Sequence, residues 1–90
     1  MATHLQDIDV IALYGADGSI LPLRLQVQDI EGKLTLLRIE RVLRHQEFKK
    51  VGIEKHIFLC RAVCSNRYVL IELQYHMRSH SWKRVIYNEV

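Results

Sequence analysis

Apolar and polar residues alternate with a period of two over most of the chain, the spacing of a half-buried strand and not of a helix. Asp9 to Tyr14 is a short apolar run of strand length, stopped by Gly15-Ala16-Asp17-Gly18-Ser19, whose Asp-Gly pair signals a tight turn. From Ile20 to Gln28, Leu21, Leu23, Leu25 and Val27 alternate with Arg24, Gln26 and Gln28, which predicts one buried and one wet face. Pro22 cannot donate to a ladder, so it belongs near the start of an edge or at a bulge. Asp29-Ile30-Glu31-Gly32-Lys33 reads as the next hairpin turn.

Residues 34–48 fit two periods. Leu36, Ile39, Val42, Leu43 and Gln46 nearly trace a helical stripe, while Leu37, Ile39 and Leu43 fit a strand face with Arg41 as the exception. A bulge at Glu40-Arg41 would restore Val42 to the buried face, and the hairpin turn just before calls for a strand. The reading is therefore a long bent strand, with a wide loop or one short helix over 44–52; the alternative is an α+β roll with 36–48 helical. Lys55 to Cys64 then alternates His56, Phe58, Cys60, Ala62 and Cys64 with Ile57, Leu59, Arg61 and Val63. Ser65-Asn66 breaks the run. Arg67 to His76 places Val69, Ile71, Leu73 and Tyr75 on one face, Met77 to Ser81 turns the chain, and Trp82 to Tyr87 is the last strand. Six strands joined mainly by hairpins predict a mainly β fold, an antiparallel meander closed into an SH3-like barrel or half-barrel. No repeat or linker divides it, so residues 1–90 form one β domain with 1–8 as an N-terminal arm.

Composition supports this reading. Ninety residues, 49% hydrophobic and 26% charged, with one Pro and four Gly, suit a single folded core. Size scaling gives a compact chain of this mass about 5,500 Å² of surface. The formal charge of +3 conceals an asymmetry: residues 1–31 carry −4 and residues 32–90 carry +7. The basic excess suits a solvated face, or a patch for phosphate or an acidic partner. Cys60 and Cys64 on one strand are about 13 Å apart, too far for a disulfide or for sharing one zinc ion. Free thiols, the lack of a signal-peptide pattern at Met1 to Asp7, and apolar stretches no longer than four residues predict a cytoplasmic protein without a membrane span.

Pro22-Leu23-Arg24, Ile39-Glu40-Arg41-Val42-Leu43, Glu72-Leu73-Gln74-Tyr75 and the closing Trp82 together resemble the layout of small uncharacterised bacterial β-barrel proteins of unknown function. The resemblance spans residues 17–87 and implies a small β-barrel. It brings no activity, ligand or catalytic residue with it.

Catalytic chemistry finds little material. His76 and His80 would flank a hairpin turn, but a metal needs a third ligand that the sequence does not supply. His56 and Cys60 share a strand face about 13 Å apart, so they cannot pair as base and nucleophile. Ser79 and Ser81 beside His80 have no orienting carboxylate, and there is no Gly-rich phosphate loop. The expectation is a non-enzyme with no metal, cofactor or catalytic residue. The function expected is protein interaction or self-assembly, as a homodimer or with an unidentified protein, through the open edge of the last strand, unless Met1 to Ile8 cover an edge instead, in this copy or a neighbour. The alternative is single-stranded nucleic acid held by Arg61, Arg67, Arg78, Lys83 and Arg84, with Phe58, Tyr68, Tyr75, Trp82 and Tyr87 as stacking material.

Overall fold

Glycines and a few small polar residues punctuate the chain, and each punctuation mark sends one strand back against the last. The computed structural model describes residues 2–28 and 31–88, and only the backbone of Ala2, Thr3, Tyr87 and Asn88. Six antiparallel strands are present: β1 (Ala2–Tyr14), β2 (Ile20–Gln28), β3 (Leu34–Lys50), β4 (Ile53–Cys64), β5 (Arg67–His76) and β6 (Ser81–Asn88). They follow one another in sequence order around a closed barrel. Among the described residues there is no helix, hence none able to cross a membrane.

The turns follow local chemistry. Between β1 and β2, Gly15 N–H donates to the Ser19 carbonyl, and the Asp17 carboxylate accepts from Ser19 N–H. Ser65 and Asn66 both take positive φ, 49° and 64°, the pair of left-handed residues that a two-residue hairpin turn requires. The turn expected at Asp29–Lys33 falls partly on residues 29 and 30, outside the described residues.

The short helix or wide loop expected over 44–52 is not formed. Arg44 to Lys50 stay extended and pair with Ile53 to Leu59, and the chain reverses at Val51-Gly52 alone. Gly52, at φ 84°, supplies the left-handed residue that permits so short a reversal. The helical option over 36–48 falls with it, because the β3–β4 ladder is continuous apart from two register shifts. One skips Glu40, at the expected bulge, and the other skips Leu43.

The clean alternation read over β2 also needs correction. Ile11 pairs with Arg24 and Ala12 with Pro22, so Leu23 is an extra residue in the strand. The missing N–H of Pro22 accounts for the bulge. Its consequence is a change of face: Pro22, Leu25 and Val27 are buried, while Leu21 and Leu23 are turned out, 43% and 39% exposed.

β1 begins at Ala2, seven residues before the run read from the sequence, and serves two neighbours. Ala2 to Ile8 pair with Trp82 to Asn88, and Asp9 to Tyr14 pair with Ile20 to Gln26. The segment expected as an arm is thus the strand that covers β6. The last strand is not the open edge expected of it, since the same chain's first strand occupies that edge. β6 meets β5 over only four pairs, Leu73–Arg84 to His76–Ser81. Inside the barrel, Leu25, Leu37, Phe58, Cys60, Ala62, Ile71, Leu73, Tyr75 and Trp82 form the core. The surface of 6669 Å² exceeds the compact expectation by roughly a fifth. The radius of gyration, 13.3 Å, also exceeds the roughly 12 Å of a compact chain this long. Much apolar side chain has been left outside.

Candidate functional site

The inner wall at one end of the barrel carries a continuous row of rings. Phe58 stacks on His45 at 4.4 Å and leans on Trp82 at 5.7 Å; Trp82 meets Tyr75 at 5.0 Å, and Tyr75 meets Tyr14 edge-on at 6.0 Å. Hydrogen bonds fix the polar ends. Trp82 Nε1–H donates to the Tyr14 hydroxyl at 3.2 Å, and the Tyr75 hydroxyl bonds His80 Nδ1 at 3.2 Å. The register places His45 opposite Phe58 and Glu47 opposite His56, so each pair shares a face, with Phe58 and His56 buried and His45 and Glu47 exposed.

His45 Nε2 and His56 Nδ1 are 2.9 Å apart, close enough for one ring to donate to the other. His56 is 7% exposed. Burial holds its pKa below the ordinary value, nearby Glu47 opposes this, and His45 and Lys49 add to the depression. One ring N–H thus serves the contact, and burial disfavours a charge on His56. His76 faces the other way. Its Nε2 bonds the Gln74 side-chain oxygen at 3.0 Å, and burial together with Lys55 and Lys83 lowers its pKa. His76 and His80 are thus held by different partners, Gln74 on the outer side and Tyr75 within.

The thiols differ in kind. Cys60 is wholly buried, and burial pushes its pKa up to about 11, so it is protonated at neutral pH. Cys64 is partly exposed beside Ser65, and both cysteines are free. Among the described residues no three His, Cys, Asp or Glu side chains gather as a metal site would require.

The basic residues singled out from the sequence are scattered. Arg61 on β4 is held by Glu40 through Nε at 2.7 Å and Nη2 at 3.0 Å, and its guanidinium lies 5.2 Å from the Tyr68 ring centre. Arg67 starts β5 and Arg78 lies in the turn after it, so ten strand residues, about 30 Å, part them. Lys83 is ion-paired with Asp7, and its neighbour Arg84 turns to the opposite face of β6, across from Leu73 and Gln6. Of the proposed stacking residues, Phe58, Tyr75 and Trp82 fill the core, and Tyr68 stands exposed. For Tyr87 the side chain lies outside the description.

Two outer-face features escape a period-two reading. The first is apolar: Leu13 and Leu21 face each other across β1 and β2, with Ile11 and the bulged Leu23 beside them, and Leu34 and Leu36 lie on β3. Ile11, Leu36, Asp9, Arg24 and Gln26 border a groove between the two groups. The second is basic. Arg24 stands directly opposite Arg38, and Arg41 directly opposite Arg61. Because the bulges skip Glu40 and Leu43, Arg38, Arg41 and Arg44 all share this face. The available signals were Pro22, which displaces a register, and three arginines spaced by three.

Set against models of protein families, curated proteins and solved structures, the chain matches none in any of the three comparisons.

Proposed function

We propose that this SH3-like barrel is a non-catalytic self-association module of the bacterial cytoplasm, a homodimer formed face to face through the outer surface of β1, β2 and the start of β3. The observation that carries the reading is the unpartnered apolar face. Ile11, Leu13, Leu21, Leu23, Leu34 and Leu36 expose about 650 Å² between them, taking roughly 200 Å² for a fully exposed Leu or Ile. That is above the few hundred Å² usual for a monomer's largest patch and close to the ~800 Å² that each partner buries in a stable complex.

A second copy is the occupant that the charges favour. A two-fold interface must be complementary to itself, and both Asp9 and Arg24 line this groove, so each can meet its opposite across the axis. The non-catalytic part of the reading is supported by the buried, protonated Cys60 and by histidines engaged with each other and with the core. The free thiols suit a reducing compartment.

Light scattering after size exclusion, at about 100 μM protein, tests the reading. Wild type should run at twice 10.6 kDa. The Ile11→Lys/Leu36→Lys variant, whose altered side chains are 63% and 71% exposed and do not support the core, should run as a folded monomer. A monomeric wild type, or a variant that remains a dimer, refutes it.

A further inference from the structure

The row of arginines goes beyond self-association. We propose that Arg38, Arg41 and Arg44 of β3, with Arg61 of β4 beside them and Tyr68 of β5 at the margin, form a track for the phosphate backbone of single-stranded nucleic acid.

Geometry makes the row. Arg38, Arg41 and Arg44 pair respectively with Val63, Arg61 and Leu59, alternate residues of β4, so the guanidiniums repeat about every 7 Å along the strand. Without the two bulges, a spacing of three would send Arg41 to the interior. Like charges placed directly opposite one another destabilise a sheet, and Arg24 stands so against Arg38. An anion lying across them removes that cost.

Of the nearby carboxylates, Glu40 pairs with Arg61 and not with Arg38, Arg41 or Arg44. Its carboxyl is held below the usual range first by that hydrogen bond and then by Arg61, Arg38 and Arg41 acting through space. Every cation in the row is Arg and none is Lys, and the planar guanidinium fork matches phosphate oxygens.

Two features favour a nucleic acid over an acidic protein segment. The even repeat suits a polymer with one charge per unit. Tyr68 is 66% exposed, two strands or about 10 Å from Arg38, and offers a face on which a base can stack. Arg67, Arg78, Lys83 and Arg84, which the sequence suggested, are not needed.

Fluorescence anisotropy with a labelled mixed-sequence single strand of about 15 nucleotides tests the proposal, titrated from about 50 to 200 mM salt. With three phosphate contacts, from Arg38, Arg41 and Arg44, log K should fall with log salt at a slope of about −2. Arg41→Glu/Arg44→Glu should bind about tenfold more weakly or worse, with a slope of about −0.7. Tyr68→Ala should weaken binding and leave the slope unchanged, because it removes stacking and no charge. Lys49→Glu/Lys50→Glu makes the same change in net charge at the β3–β4 hairpin tip and should bind like wild type. Circular dichroism confirms that each variant is folded. The proposal is overturned if wild type shows no salt-dependent binding, or if the two charge-reversal pairs are equally damaging. It is also overturned if a glutamate-rich peptide competes as well as unlabelled oligonucleotide, since the row then serves an acidic protein.

Discussion

Acidification should loosen this barrel well before its carboxylates protonate, and His56 should be a main cause. The side chain is 7% exposed, and burial, assisted by His45 and Lys49, keeps its pKa below the ordinary 6.5. His76 is shifted the same way by burial, Lys55 and Lys83. The unfolded chain therefore binds more protons than the folded one as soon as pH falls below about 6.5. The contribution of these rings is complete above that value and is lost as pH drops toward the depressed pKa. Each unit of depression is worth about 1.4 kcal/mol. A chain of ninety residues has an unfolding entropy near 190 cal/mol/K, so each kcal/mol lost lowers Tm by about 5 °C. Calorimetry between about pH 7.5 and 5 reads the effect while Asp and Glu remain largely ionised. Wild type should lose several degrees. His56→Gln keeps a polar group near His45 without titrating, so it should show a smaller drop, and His56→Gln/His76→Gln a smaller one still. A wild-type Tm unchanged over this range, or a single variant that falls as steeply as wild type, would refute the reasoning.

Two further outcomes follow from the backbone and the core. Gly52→Ala meets no atom within 4 Å, so its whole cost is the positive φ, and denaturant melting should show a loss of about 1 kcal/mol; an unchanged midpoint would mean that the turn does not need a left-handed residue. A thiol reagent at neutral pH should modify Cys64 promptly and reach Cys60 only on unfolding, because Cys60 is buried and its pKa is about 11. Two thiols reacting at one rate in the folded protein would contradict the burial described.

Much of the barrel is legible in the alternation. The limits of β2 and β5 coincide with the runs read from the sequence, the inner faces of β4 and β5 are those of Phe58 and Leu73, and the bulge at Glu40 restores Val42 to the core side. What could not be read is whatever depends on a register shift or on a distant partner. Leu21 and Leu23 alternate with polar residues as core leucines do, yet the bulge after Pro22 turns them outward, and no local period reveals that. The arginine row was hidden for the same reason, since two bulges are needed before positions 38, 41 and 44 share a face. Residues 2–8 looked like an arm because their strand partner lies at the other end of the chain. The His45–His56 contact likewise crosses two strands and leaves no mark on either one alone.

That pairing of the first strand with the last sets a clock on the molecule's making. Ala2 to Ile8 have no ladder to join until Trp82 to Asn88 exist, so the ring cannot shut before β6 has been made. At roughly 5–20 residues per second, the leading residues wait about 4–16 s for their mates. Meanwhile the β3–β4–β5 hairpins can form from neighbours alone, and closure by the most sequence-distant contacts comes last and slowly. A newborn chain thus spends its first seconds as an unclosed sheet with its outer leucines already exposed, the interval in which it is most open to a wrong partner.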